Sequence, residues 1–141
     1  MTCIDPQERL SQLLIEFYEK LSSWEHEVVK ESGLSTAQMH AVEIIGHHGN
    51  LRMKEVAEKM GITTGSLTVM VDRMELNGLV ERQAHPQDRR SYVMALTRKG
   101  ERLRAQHHQL HLGLTREITA TLGDDEISLL NQLMAKIQEQ F

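Results

Sequence analysis

The stretch 79–100, LVERQAHPQDRRSYVMALTRKG, admits very few structures. Residues 80–83 and 92–96 have the alternating, partly β-branched character of short strands. Between them Pro86, Gln87, Asp88 and the pair Arg89-Arg90 suit a turn and not a core. The second strand runs straight into a helical pattern that Thr97 can cap. The spacing therefore predicts a hairpin with a cationic tip, set between two helices.

The chain ahead of the hairpin narrows the choice further. A helix is predicted over 52–60, a tight turn at Gly61, and a fourth helix from a cap at Thr63 or Thr64 to Asn77-Gly78. Leu67, Met70, Val71 and Met74 fall at i, i+3, i+4 and i+7, one apolar face that must pack inward. The opposite arc carries Gly65, Thr68, Val69, Asp72 and Arg73, with Ser66 at its edge. It is small and narrow near its N-terminus, as a helix lying in the major groove of DNA requires. Two helices, a turn and a basic hairpin in this order read as a winged helix–turn–helix.

Three pieces, MKEVAEKMGITTGSLTVMVDRMELNGLVER, Asp88-Arg89-Arg90 and Leu96-Thr97-x-x-Gly100, resemble the DNA-binding lobe of the multiple antibiotic resistance regulator (MarR) family of bacterial repressors. The likeness implies a mostly α fold in one domain over 1–141. In it a DNA-binding lobe at about 51–100 is flanked by dimerisation helices at about 7–31 and 101–141. It also implies a homodimer that binds a palindromic double-stranded DNA operator and responds to a ligand. The candidate DNA contacts on the fourth helix are Thr64, Ser66, Thr68, Val69 and Arg73. Hydroxyls can meet phosphates or base edges, Val69 a thymine methyl, and Arg73 a guanine or a phosphate. On the wing they are Asp88, Arg89 and Arg90. A guanidinium entering the minor groove is favoured by the negative potential there. In the family the acid pairs with the arginine two residues later, so Asp88 is expected to orient Arg90 and leave Arg89 for a phosphate.

A net charge of −4 looks wrong for a DNA binder until it is divided by region. Residues 52–104 hold 11 Lys/Arg against 7 Asp/Glu, a net of +4, and the rest hold 5 against 13, a net of −8. Positive charge is thus concentrated in the expected reading lobe, where it can neutralise phosphates. The N-terminal residues lack a basic start followed by an apolar run, and no apolar run is long enough for a bilayer, so a cytoplasmic location with no membrane contact is expected. The lone cysteine, Cys3, excludes an internal disulfide and a Cys-rich zinc site, and reads as an inert thiol at a frayed terminus.

Outside the lobe, helices are predicted over 7–31, from Ser35 or Thr36 to His48, from Thr97 to about Leu122, and over 125–140. The first and last carry apolar stripes, Leu10/Leu14/Phe17/Leu21 and Ile127/Leu130/Leu133/Met134/Ile137. Packed across a twofold axis they would bury each other and set two reading helices roughly 34 Å apart.

Eight histidines are a second signal. His107 and His111 stand at i, i+4, the spacing at which two imidazoles can share a metal. Together with Glu27 and His40 they are similar to the ligands of the zinc-responsive, adhesin competence repressor-like branch of the family. That likeness implies Glu-His-His-His coordination of zinc, or another borderline divalent metal, that favours DNA binding. His108 and Glu25 are alternates for His107 and Glu27. A small organic, phenolic-type effector is the competing reading, and a helical interaction module without DNA binding the remote one. No nucleophile elbow, phosphate loop or paired-carboxylate motif is present, so an enzyme is not expected.

Overall fold

Side-chain caps written into the sequence set where three of the helices begin. The computed structural model describes residues 4–141, so Cys3 lies outside the described residues. The chain divides into two compact units, residues 1–106 and 107–141.

The first unit holds α1 (Pro6–Glu31), α2 (Thr36–His48), β1 (Leu51–Arg52), α3 (Met53–Met60), α4 (Thr64–Leu76), β2 (Val80–Ala84), β3 (Tyr92–Leu96) and the start of α5 (Arg98–Ile118). Ser35 closes a capping box with Gln38, its side chain accepting the Gln38 N–H while the Gln38 amide oxygen accepts the Ser35 N–H, both at 3.1 Å. Thr63 caps α4 by accepting the Ser66 N–H at 3.1 Å. Between α3 and α4, Gly61 takes a left-handed φ of 68°, the conformation a tight helix–helix turn needs.

The sheet has the order β1-β3-β2 and is antiparallel throughout. β1 is not legible as a strand, and Arg52, expected to open the third helix, belongs to it instead. Asn50, just ahead of it, takes a left-handed φ of 50°. Leu51 and Arg52 then pair with Met94 and Val93 before the helix begins. Two residues are too few to show a strand's alternation, and only β3 makes them one.

One face of α4 drives the packing. Leu67, Val71 and Met74 are wholly buried, with Met70 partly so, as the spacing predicts. They join Val42 and Ile45 of α2, Val56 of α3, and Leu79, Val80 and Met94 around the hairpin in one apolar cluster. Each large side chain so buried contributes about 1.5–3 kcal/mol before conformational entropy is counted.

The Leu96-Thr97-x-x-Gly100 motif joins the hairpin to this core. The Thr97 N–H donates to the Leu79 carbonyl at 3.0 Å, and its hydroxyl donates to the Gly78 carbonyl. The same oxygen accepts the Gly100 N–H at 3.2 Å, capping α5. Gly100 is buried so close to Leu79 that a Cβ there would stand 2.2 Å from the Leu79 carbonyl oxygen. The close approach, and not a turn, is what requires glycine.

The second unit contains the rest of α5 and α6 (Asp124–Gln138). α5 ends at Ile118, short of the expected 122. The hydroxyls of Thr115 and Thr119 donate back to the His111 and Thr115 carbonyls at 2.9 and 2.6 Å, a competition that weakens a helix end. α6 opens on Asp124, Asp125 and Glu126, acids that suit a helix N-terminus. Among the described residues no helix is long and apolar enough to cross a membrane.

Gly100→Ala is expected to lower unfolding stability by about 1–3 kcal/mol through overpacking against the Leu79 carbonyl. Denaturant unfolding measures it, and a variant as stable as the parent would show that α5 and the hairpin separate freely.

Candidate nucleic-acid interface

With Leu67, Val71 and Met74 facing inward, the other side of α4 must face out. Thr64, Gly65, Ser66, Asp72 and Arg73 are exposed, Val69 is 58% exposed, and Thr68 is half-buried. Two of the candidate hydroxyls are already engaged. Thr68 donates to the Thr64 carbonyl at 2.8 Å, so its oxygen is left as an acceptor. Ser66 accepts from the Thr63 hydroxyl at 2.9 Å and keeps its own proton to donate.

Arg73 has no carboxylate partner among the described residues, because a residue overlooked in the sequence takes the nearby acids. Arg82 of β2 donates to Asp72 at 2.8 Å and lies 3.4 Å from Glu75. It straps α4 to the hairpin and neutralises two acids on that face. Asp72 and Arg82 are ten residues apart on different elements, so no periodicity could have paired them.

The hairpin pairs from Val80↔Leu96 to Ala84↔Tyr92, one residue beyond the predicted first strand. Its loop is held by the His85 N–H on the Ser91 carbonyl at 3.0 Å, and by the Gln87 N–H on the His85 Nδ1 at 3.1 Å. Asp88 organises the tip, though not as expected. Its Oδ1 accepts the backbone N–H of Arg90 at 3.1 Å, and its Oδ2 accepts the Ser91 hydroxyl at 3.3 Å. The guanidinium beside it belongs to Arg52, at 3.6 Å. An Asx-type turn offers the carboxylate a main-chain N–H two residues on, which needs no side-chain ordering. Arg89 and Arg90 are exposed, with no carboxylate paired to either guanidinium among the described residues.

The metal candidates fall in both units. In the first, Glu27 and His40 are exposed on α1 and α2, and Glu25 is half-buried. In the second, His107 is 5% exposed and its Nε2 lies 3.1 Å from the Nε2 of His111. The rings meet edge to face, centroids 4.6 Å apart. Two Zn–N bonds of about 2.0–2.1 Å at a tetrahedral ion place their nitrogens roughly 3.3 Å apart, so the pair fits two ligands of one metal. His108, the alternate, is exposed. His48 stands apart at the end of α2, its pKa lowered by lost hydration and then by the positive charge of Lys59 and His47.

The first unit also has an open cleft of about 430 Å³ where α1 meets α2, lined by His26, Val29, Lys30, Leu34, Ser35 and Thr36.

Residues 34–92, which hold α2 to α4, β2 and the wing loop, match the MarR family. The whole chain has the mostly helical MarR winged-helix fold: it superposes on MarR from Escherichia coli without ligand with a TM-score of 0.70 and 29% identity, covering 96% of this chain and 98% of that one. It is also similar to FabT of Streptococcus pneumoniae, solved in complex with DNA, with a TM-score of 0.81 and 21% identity over 94% and 95% of the two chains. The HTH-type regulator YfiV of Bacillus subtilis is 35% identical over 86 residues, 60% of this chain. The chain spans 54% of the length of YfiV. YfiV is described as a transcriptional regulator and not as an enzyme.

Arg90→Ala is expected to weaken binding to a duplex from upstream of its own gene by about 5- to 150-fold, the range of a lost specific arginine contact. Arg9→Ala, outside the lobe, should bind as the parent does. Equal affinities in a gel-shift titration would take the wing out of the interface.

Proposed function

We propose that this protein is a homodimeric bacterial transcriptional regulator that acts in the cytoplasm on a palindromic operator. The α4 arc enters the major groove, and the arginine wing enters the adjacent minor groove. One observation carries the reading: an exposed, small-residue helix face beside a wing, with Arg73, Arg89 and Arg90 unpaired by carboxylates among the described residues. Free guanidiniums on that surface gain from phosphates and groove edges without first breaking an ion pair. FabT bound to DNA is a precedent for the same fold on a duplex.

The dimer follows from apolar surface. Leu10, Leu13, Leu14 and Phe17 of α1 are 44–50% exposed, and Ile127, Leu130, Leu133, Met134 and Ile137 of α6 are 36–46% exposed. Stripes of this size on a single chain call for a partner surface, and a second copy supplies the same stripes in return.

Control of DNA binding is assigned to zinc or a similar divalent metal bound through His107 and His111. The support is the buried His107–His111 pair at ligand spacing. A metal that binds one arrangement of the reading lobes better shifts the population toward it by its differential affinity. Metal should favour the DNA-bound form. The α1–α2 cleft favours a second reading, a small organic anion such as a phenolic acid lying on Val29 and Leu34 with its charge toward His26 and Lys30.

Adding zinc to chelator-treated protein is expected to raise operator affinity for the parent and for His48→Ala, but not for His107→Ala or His111→Ala. Indifference of the parent to zinc, cobalt and nickel would hand the effector role to the cleft. Removal of residues 125–141 should leave aggregated or unfolded protein. A well-behaved, DNA-binding monomer in sedimentation would contradict the dimer.

A further inference from the structure

The wing is supported unevenly along its length. β1 has only two residues, and its pairing with β3 stops at Arg52↔Val93. Beyond Val93 only Tyr92↔Ala84 continues the ladder, on two strands. The loop at 85–91 therefore projects past the three-stranded part, and a two-stranded ribbon is marginally stable by itself.

Arg52 stands where that support ends. Its backbone is held twice: in the β1–β3 register, and by its N–H donating to the Glu55 carboxylate at 3.3 Å in the first turn of α3. Its side chain reaches the loop, with Nη2 3.6 Å from Asp88 Oδ2. Asp88 in turn accepts the Arg90 N–H and the Ser91 hydroxyl, so its position sets the course of the main chain through Arg90.

We propose that Arg52 is a positioning residue of the wing: through Asp88 it holds the tip against the helix–turn–helix body, so that the Arg90 guanidinium is presented to the minor groove without being tied to Asp88. This rests on the DNA-binding reading of the wing. Two effects act together. The tether reduces the freedom the tip loses on docking, and ordering cost subtracts directly from affinity. Arg52 also neutralises a carboxylate that would otherwise face phosphates beside the groove. Both side chains are nearly half exposed, at 44% and 47%. An ion pair of that kind adds little to fold stability, so its effect should appear in DNA affinity and not in unfolding.

The test is a double-mutant cycle on the full chain with a duplex from upstream of its own gene, titrated at several salt concentrations. Arg52→Ala is expected to weaken binding about three- to tenfold with an unchanged unfolding midpoint, and Arg52→Lys, which keeps the charge, to recover part of the loss. In an Asp88→Ala background Arg52→Ala should cost nothing further. The slope of log affinity against log salt should match the parent, because no phosphate contact is lost. Additive losses in the cycle would overturn the proposal, since Arg52 would not be acting through Asp88. A slope shallower by about one per wing would overturn it too, making Arg52 a phosphate ligand. If Arg90→Ala loses binding while Arg52→Ala does not, the inference falls and the wing reading stands. If Arg90→Ala also binds as the parent does, both fall.

Discussion

Burial of one face of α4 is the constraint on which the rest of the first unit depends. Leu67, Val71 and Met74 are completely covered by α2, α3 and the hairpin strands. A helix with one side locked into a close-packed core has no rotational freedom left, so its opposite side is presented at a fixed angle. The turn at Gly61 and the cap at Thr63 then set where that side begins. The Gly100–Leu79 approach sets how closely the hairpin can follow. The candidate reading surface results from packing that involves none of its own residues.

Electrostatics refine what packing exposes. Strand arginines take up acids of the lobe: Arg82 holds Asp72 and Glu75, and Arg52 holds Asp88. A third pair, Arg104 with Glu43, joins α5 to α2. As exposed or half-exposed pairs, each contributes little to stability. Their consequence is selective. By occupying the acids they leave Arg73, Arg89 and Arg90 without a carboxylate partner among the described residues, so these guanidiniums add to the lobe's attraction for a polyanion.

The histidines and the apolar stripes obey different physics. His107 and His111 are set by one helix turn, so their spacing is a local property of α5. The stripes on α1 and α6 are also local in origin, since periodicity writes them. Their burial in the proposed homodimer would depend on surfaces from a second copy, and that is a matter of association.

Much of this protein was determined by sequence alone, and always where the physics is short-range. Helical periodicity picked out the inner face of α4, capping residues placed the starts of α2 and α4, and the loop residues of 85–91 placed the wing. Thr97 and Gly100 marked the start of α5. Each signal lies within one or two helical turns. The tertiary structure decided everything that needs two distant segments together. β1 exists only because β3 lies beside it. Arg82 reaches α4 across ten residues, and Arg52 meets Asp88 across the sheet. Asp88 and Arg90 are close in sequence, yet their pairing was misassigned, because a carboxylate chooses among all donors within reach. A main-chain N–H already held by the turn is ordered at less entropic cost than a long free side chain. Sequence specifies which groups a segment offers; the folded chain decides which of them meet, because that choice is made by distance and competition.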